Sequence, residues 1–169
     1  LISSQQDMDK YLNKQLEKLQ TDRIDYYLLH ALNHSKWNRL LDADVFSWIK
    51  KVKKEGKIDK IGFSFHDDYE LFEEIMKSYD WDFTQIQYNY LDTDFQAGRK
   101  GLELASEMNV PLIIMEPLRG GDLAQNPPEP VQRIIDTKYP DRSPADLALQ
   151  WLWSQPEVGV VLSGMSNMQ

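Results

Sequence analysis

The sequence contains no cysteine, which excludes disulfide bonds and thiolate metal sites within the chain. It also lacks an excess of positive charge, because 27 acidic residues against 19 basic residues give a formal net charge of −8 at pH 7. Duplex nucleic acid and anionic membranes both require clustered lysine and arginine, so neither is an expected partner. No apolar run approaches the roughly 20 residues of a membrane span, and no signal-peptide pattern opens the chain. A cytoplasmic protein is therefore the default expectation.

The bulk composition is that of an ordinary globular domain. The 169 residues are 41% hydrophobic and 27% charged, which suffices for a buried core. Along the chain, apolar spacing switches repeatedly between the helical and the strand period. The predicted strands are residues 24–30, 58–64, 83–88, 112–116 and 158–162.

Helical stripes lie between these strands. Asp42 or Asp44 is a plausible N-cap for the helix through Val52, and Ser143 with Pro144 starts one that runs to Trp153. A polar segment after residue 118 interrupts the alternation, as a functional loop would. The first helix is predicted to have one apolar face, formed by Met8, Tyr11, Leu12, Leu16 and Leu19.

Strict alternation of helices with strands that are apolar on both faces predicts a parallel sheet covered by helices. A barrel is favoured over a doubly wound sheet, because no glycine-rich dinucleotide fingerprint follows the first strand and polar residues end the strands instead. A full eight-fold barrel needs about 250 residues, and five β/α units can be counted here. We therefore expect residues 1–169 to form a single domain, an α/β portion of a TIM barrel that is truncated at both ends.

Polar side chains end four of the predicted strands. His30 ends the first, and the runs that end in Ser64, Asn89 and Glu116 follow the same pattern. Active sites of α/β barrels lie at the carboxyl ends of the strands, so these ends are expected to converge on one site. The residue type alone leaves both a catalytic and a structural role open for His30, because imidazole readily bonds to backbone carbonyls.

Several fragments, in this order, carry a resemblance to a known family. They are DYYLLH (25–30), GKIDKIGFS (56–64), QIQYN (85–89), EPLRGG (116–121), and SPADLALQW (143–151) before SGMSN (163–167). Together they resemble the aldo-keto reductases, barrels that reduce carbonyls with a nicotinamide cofactor. The resemblance runs from about Asp7 to the end and corresponds to the family's third helix through its eighth strand.

The resemblance implies that the complete protein is an NAD(P)-dependent oxidoreductase acting on a small-molecule carbonyl. His30 matches the histidine of the family's catalytic tetrad. The matching aspartate, tyrosine and lysine would precede Leu1, so this fragment is expected to be inactive alone. The FSFHD and MEPLR variants look like the branch that often carries a downstream ferredoxin-like iron–sulfur segment. Such a cluster would lie outside this chain.

The cofactor, NADP or NAD, is implied by the same resemblance. Ser64 and Gln85 match positions that hydrogen-bond the nicotinamide carboxamide, although Phe65 stands where an asparagine usually follows the serine. Met115 stands where many members stack a tyrosine on the nicotinamide ring, and a thioether can still pack there. The remaining positions face the pyrophosphate or the adenosine phosphate, and they are Pro117, Leu118, Arg119, Gly121, Gly164, Ser166 and Asn167.

Gly164 replaces a lysine that NADP-preferring relatives often use. The chain stops before the position of their second basic residue. The sequence therefore leaves NAD and NADP as alternatives.

Two other functions stay open at this point. Glu116 could be the nucleophile of a TIM-barrel glycoside hydrolase with Asp67 or Asp92 as its partner carboxylate. A non-catalytic nucleotide-binding barrel, like the potassium-channel β subunits, is the other. No metal is expected, because residues 66–68 are better explained as the start of a helix. The open edges of a partial barrel predict self-association.

Overall fold

Five parallel strands and the helices between them follow one another along residues 2–164, the part of the chain that the computed structural model describes. All five predicted strands are present. The strands are β1 (Ile24–Leu32), β2 (Ile58–Phe65), β3 (Phe83–Gln87), β4 (Leu112–Met115) and β5 (Val158–Val161). The helices are α1 (Gln5–Leu19), α2 (His34–Asp42), α3 (Val45–Lys54), α4 (Tyr69–Ser78), α5 (Gly98–Glu107), α6 (Asp122–Gln125), α7 (Glu129–Lys138) and α8 (Pro144–Trp153).

The strands are hydrogen-bonded in the order β1-β2-β3-β4-β5, which is also their order in the sequence. Ile24 of β1 lies opposite Ile58 of β2, and Leu112 of β4 lies opposite Val158 of β5, both in parallel register. A helix follows every strand from β1 to β4. The predicted alternation of a parallel sheet with covering helices is therefore confirmed.

The chain divides into two compact units, Leu1–Thr84 and Gln85–Gln169, and the boundary falls within β3. Each unit is described by itself below. The expectation that residues 1–169 form one domain stays a prediction.

The first unit has a core of aromatic side chains around β2. The Phe63 ring lies edge-on to Trp81 at 4.9 Å and tilted against Phe72 at 5.8 Å, and all three rings are buried. Gly62, also in β2, lies so close to β3 that a Cβ built on it would be 2.4 Å from the backbone oxygen of Phe83. No side chain larger than hydrogen fits there, so the glycine is required for the close approach of the two strands.

The first helix is less buried than its apolar spacing predicts. Met8, Leu12 and Leu16 are buried in α1, whereas Tyr11 is 46% and Leu19 is 63% exposed. The apolar face that the sequence predicts is therefore buried at three of its five positions. Leu19 shares the direction of the three buried residues but is the last residue of α1, and Tyr11 lies to one side of them.

Residues 34–42 form a helix that the apolar spacing alone does not predict. The Asn33 side chain caps α2 by accepting a 2.9 Å hydrogen bond from the Lys36 N–H. Trp37 and Leu40 are buried on its inner face. His34 is the first residue of α2 and is exposed.

Predicted caps are confirmed in both units. Asp44 caps α3, and the Ser143 hydroxyl accepts a 3.1 Å hydrogen bond from the Asp146 N–H at the start of α8. The predicted polar loop after residue 118 contains the short helix α6, which is held by the fully buried Leu123. Among residues 2–164, no helix is both long and apolar enough to cross a lipid bilayer.

Asp82, just before β3, is a largely buried carboxylate of the first unit with three donors. It accepts hydrogen bonds from the Lys53 ammonium at 2.7 Å, the Lys60 ammonium at 3.3 Å and the Ile61 N–H at 2.8 Å. Burial raises the pKa of this carboxyl, but the three bonds outweigh burial and hold the pKa below its usual value.

We expect Asp82→Asn to lower the free energy of unfolding at pH 7 by about 1–3 kcal/mol, because it breaks charge-assisted hydrogen bonds at a site with little water. A pKa that is lower in the folded state means that the stabilisation is present above the usual aspartate pKa and is lost as pH falls through the folded pKa. Urea unfolding at neutral pH and at about pH 3 measures this difference, which should shrink on acidification. The exposed Asp80→Asn should change the unfolding free energy by less than about 0.5 kcal/mol. An equal cost of Asp82→Asn at both pH values would contradict the assignment.

Candidate functional site

The end of β1 is irregular where the sequence places its histidine. The register against β2 shifts between Leu29 and Leu32, and Ala31 has a left-handed φ of 53°. The Ala31 N–H donates a 2.7 Å hydrogen bond to the Ser64 hydroxyl. The register shift is a β-bulge or a similar irregularity, a feature that is frequent next to active sites. The residue beside it is His30, which is exposed.

A cavity of about 340 Å³ lies beside β1 in the first unit. Apolar side chains line it together with His30, Tyr27 and two cations, Lys36 and Arg39. The Lys36 ammonium donates a 3.3 Å hydrogen bond to the His30 carbonyl oxygen. Burial raises the pKa of the Tyr27 hydroxyl. The cavity therefore places an imidazole and two positive charges along β1, an edge strand of the described sheet.

Ser64 and Phe65 end β2, and both are buried, with exposures of 1% and 0%. The Phe65 ring lies edge-on to the Phe72 ring at 5.2 Å and belongs to the hydrophobic core. A core aromatic thus occupies the position after the serine, where an asparagine is common in the family that the sequence resembles. This position contributes packing in place of an amide.

In the second unit, the structure brings together two residues predicted to bind nicotinamide. The Gln85 amide nitrogen lies 3.2 Å from the Met115 sulfur and donates a hydrogen bond to it. Both side chains are half-buried. The thioether is a weak hydrogen-bond acceptor, and this contact fixes the orientation of the Gln85 amide. Their roles at a nicotinamide stay predictions.

The loop of residues 116–121, called loop 116–121 below, has a strained backbone. Glu116 and Arg119 have left-handed φ values of 55° and 51°, and Gly120 and Gly121 have φ values of 65° and 97°. Built Cβ atoms on the two glycines would meet nothing within 4 Å. The glycines are therefore required by the backbone conformation, because the surrounding space would admit a side chain. Non-glycine residues held in the left-handed region are found most often at functional sites.

Hydrogen bonds within loop 116–121 occupy two of its own backbone N–H groups. The Glu116 carboxylate accepts a 2.8 Å hydrogen bond from the Gly120 N–H. The Gly121 N–H donates to the Leu118 carbonyl at 2.9 Å. Pro117 is buried, Leu118 is half-buried and Arg119 is exposed. An anionic oxygen therefore already occupies the Gly120 donor at the exposed side of the loop.

A network of polar side chains contacts this loop, and the sequence did not predict it. The buried Asn89 donates from Nδ2 to Asp92 Oδ2 at 2.8 Å and to the Glu116 carbonyl at 3.2 Å. Gln87 Nε2 donates to the same Asp92 oxygen at 3.2 Å, and Arg119 Nε lies 3.8 Å from it. The run Gln87 to Asp92 is rich in amides and carboxylates, which is the signal that could have pointed to a network.

The last predicted cofactor residues lie near the end of the chain. Gly164 is exposed, and a built Cβ would meet nothing within 4 Å. Ser166 and Asn167 lie outside the described residues. The predicted contact of this segment with the adenosine phosphate stays a prediction.

Three ligand-type side chains of the first unit, His34, Asp67 and Asp68, have atoms within 4.8 Å of one another. Asp67 accepts hydrogen bonds from the backbone N–H groups of His34 and Asp68, both at 2.9 Å, and the His34 bond lowers the pKa of Asp67. Asp68 caps α4 by accepting from the Leu71 N–H at 3.0 Å. The prediction that residues 66–68 start a helix is confirmed. Helix starts account for these carboxylates, and we assign no metal to them.

Comparison with solved structures identifies the fold. The chain is similar to the holo form of an aldo-keto reductase from Bacillus halodurans, with 24% identity over 98% of this chain and 56% of that chain, at a TM-score of 0.79. It is similar to a thermostable aldo-keto reductase in complex with the inhibitor epalrestat, with 26% identity, coverage of 98% and 58%, and a TM-score of 0.75. It is also similar to an aldo-keto reductase from Klebsiella pneumoniae in complex with NADPH, with 21% identity, coverage of 96% and 56%, and a TM-score of 0.73.

The chain spans a little over half the length of these structures, and its five strands form part of their TIM barrel. No curated protein matches the sequence. The sequence profile of the Aldo/keto reductase family matches residues 3–169, almost the whole chain. The chain therefore belongs to the aldo/keto reductase family.

Proposed function

We propose that the full-length protein reduces a small-molecule carbonyl with NADPH or NADH, and that His30 is its catalytic histidine. The observation that carries this proposal is the place of His30. His30 stands near the carboxyl end of β1, the end at which α/β barrels carry their active sites, beside the register shift at Ala31, and it lines the 340 Å³ cavity. Family membership and the NADPH bound to the Klebsiella pneumoniae neighbour support the class of reaction.

The proposed role of His30 follows from the charge that develops in carbonyl reduction. A reduced nicotinamide, when bound, supplies a hydride to the carbonyl carbon. The His30 imidazole donates a hydrogen bond to the carbonyl oxygen, orients it and stabilises its growing negative charge. Lys36 and Arg39 add positive potential to the same cavity.

The proton is assigned to a tyrosine outside residues 1–169. Tyr27 lines the cavity with His30, but burial raises the pKa of its hydroxyl, which makes it a poorer proton donor. The aspartate and lysine that would tune the catalytic tyrosine are likewise assigned to the rest of the protein. Residues 1–169 alone are therefore proposed to be inactive.

Ser64 and Gln85 are each proposed to hydrogen-bond the nicotinamide carboxamide, because both match positions that do so in the family. The Ser64 oxygen accepts from Ala31, so its own hydroxyl hydrogen is left to donate to the carboxamide oxygen. The Gln85 amide nitrogen is held by Met115, so its oxygen is left to accept from the carboxamide nitrogen. Met115 is proposed to pack its thioether on the nicotinamide ring.

Loop 116–121 is proposed to bind the pyrophosphate. Gly120 and Gly121 support this, because residues without a side chain permit a close approach of a ligand to the backbone. Arg119 is proposed to supply a bidentate fork, with Pro117, Leu118 and Gly121 shaping the loop. Gly164, Ser166 and Asn167 are proposed to face the adenosine phosphate.

Location and partners are part of the same proposal. We place the protein in the cytoplasm, with a small-molecule carbonyl as its substrate. Neither nucleic acid nor membrane is proposed as a partner, because the net charge is −8. The open sheet edges at β1 and β5 are proposed to associate where residues 1–169 occur alone. Any iron–sulfur cluster of this branch would belong to a segment outside these cysteine-free residues.

A test of the cofactor assignment is Gln85→Leu in the full-length protein. We expect the affinity for NADPH to fall roughly tenfold, because a hydrogen bond to the carboxamide is lost and a buried polar group of the ligand is left unpaired. ADP-ribose, which has no nicotinamide, should bind as tightly as before. Fluorescence or calorimetric titration measures both affinities. Gln125→Leu, at the exposed end of α6, is the matched control and should leave both affinities unchanged.

The outcomes separate the candidate functions. Equal weakening of NADPH and ADP-ribose would make Gln85 a structural residue. NADPH binding by the wild-type protein without turnover of any carbonyl would identify a non-catalytic nucleotide-binding barrel. Hydrolysis of an aryl glycoside without nicotinamide would identify a glycoside hydrolase that uses Glu116.

A further inference from the structure

Asp92 lies in the second unit, and the resemblance to known reductases assigns it no role. Its side chain is only 14% exposed, and Oδ2 accepts hydrogen bonds from Gln87 at 3.2 Å and Asn89 at 2.8 Å. Asn89 is itself fixed, because it is fully buried and its Oδ1 accepts from the N–H groups of Leu91 and Asp92 at 3.0 Å. The Asp92 carboxylate is therefore held in one place by the protein around it.

The fixed carboxylate faces the arginine of loop 116–121. Arg119 Nε lies 3.8 Å from Asp92 Oδ2, and the Arg119 side chain is 50% exposed. This contact is made by Nε and leaves the two terminal nitrogens of the guanidinium available. One side of the guanidinium thus faces a buried anion, and the terminal nitrogens remain for a ligand.

We propose that Asp92 is a positioning residue, which holds Arg119 so that the terminal nitrogens of its guanidinium meet the diphosphate of the nicotinamide nucleotide. This inference rests on the proposed function, which gives Arg119 the diphosphate. A free arginine loses much rotamer freedom when it binds a ligand, and an arginine already oriented by Asp92 loses less. Asp92 acts through Arg119 and does not itself touch the nucleotide.

Two effects of Asp92 on nucleotide affinity have opposite signs. As a negative charge near the diphosphate, Asp92 repels it, so removal of the charge alone would strengthen binding. As a positioning residue, Asp92 favours the bound conformation of Arg119, so its removal weakens binding. The Arg119 side chain is half exposed, and water screens the through-space repulsion. We therefore expect the positioning effect to dominate. The direction of the change in nucleotide affinity on removal of Asp92 distinguishes the two effects.

The test compares Asp92→Asn, Arg119→Ala and the double variant in the full-length protein, with NADPH and ADP-ribose as probes. We expect Asp92→Asn to weaken both probes roughly three- to tenfold, the cost of ordering one flexible side chain. Arg119→Ala should weaken both by at least as much. In the Arg119→Ala background, Asp92→Asn should have no further effect.

Asp94→Asn is the matched control, because Asp94 is exposed on the same segment and the variant removes the same charge. It should leave both affinities unchanged or slightly stronger. Unchanged or tighter binding by Asp92→Asn would overturn the proposal and make Asp92 a competitor of the diphosphate. Equal weakening by Asp92→Asn with and without Arg119 would also overturn it, because the residue would then act on the fold. If Arg119→Ala binds like the wild type, the assignment of the diphosphate to Arg119 fails, whereas failure of the wild type to bind either probe overturns the proposed function itself.

Discussion

His30→Ala in the full-length protein should slow carbonyl reduction by roughly 10²-fold or more, because the variant loses an oriented donor to the developing oxyanion. The affinity for NADPH should change little, since the imidazole contacts the carbonyl and not the nucleotide. The loss should fall mainly on kcat, because the donor is needed most in the transition state. Steady-state reduction of an aldehyde and NADPH titration together measure the two effects.

The matched control is His34→Ala. His34 is an exposed histidine at the start of α2, and its side chain lies outside the cavity lining. Its backbone N–H, which bonds to Asp67, survives the substitution. The variant should therefore keep wild-type activity. Full activity of His30→Ala, or an equal loss in His34→Ala, would remove His30 from the catalytic site.

Gly62→Ala should destabilise the protein by about 3 kcal/mol or more, because the added methyl group collides with backbone. The built Cβ lies 2.4 Å from the Phe83 carbonyl oxygen and 2.8 Å from two carbons of the Phe83 ring. A ring can rotate away, but the carbonyl belongs to the neighbouring strand. The substitution therefore forces β2 and β3 apart at the centre of the sheet. Urea unfolding of the purified variant measures the cost.

Gly56→Ala separates this contact from the ordinary cost of replacing a glycine. Gly56 has a left-handed φ of 73° and would meet nothing within 4 Å, so alanine there should cost about 1 kcal/mol through the backbone alone. A cost of Gly62→Ala no larger than that of Gly56→Ala would show that β2 and β3 can separate without loss. Failure of Gly62→Ala to accumulate as folded protein would agree with the prediction.

The strands were predictable from sequence because each contains a short, mostly apolar run that lies between helical patterns. Most helices were predictable for a similar reason, since their buried residues recur at the helical period. The helix α2 was missed although Asn33 is a strong N-cap and Trp37 and Leu40 have helical spacing. The polar residues His34, Ser35 and Asn38 obscure this spacing in the sequence. Burial of one face stabilises the helix in the folded protein.

The site was predictable only in part. The position of His30 at a strand end follows from the pattern of its own segment. The bulge beside it does not, because it depends on a hydrogen bond from Ala31 to Ser64, 33 residues away. The same holds for Asp92, whose contact with Arg119 joins the segment after β3 to the loop after β4. Periodicity reports local structure, and these features come from contacts between distant segments.

The order of the strands has a consequence for how this sheet can be built. β1 to β5 lie side by side in the order in which they are synthesised. When each of β2 to β5 leaves the ribosome, the strand with which it pairs has therefore already been synthesised, as for Ile58 of β2 opposite Ile24 of β1. No strand has to insert between two that are already paired, so loop closure at each step involves one crossover of moderate length. The sheet can thus grow by addition at one edge while the chain is still being translated.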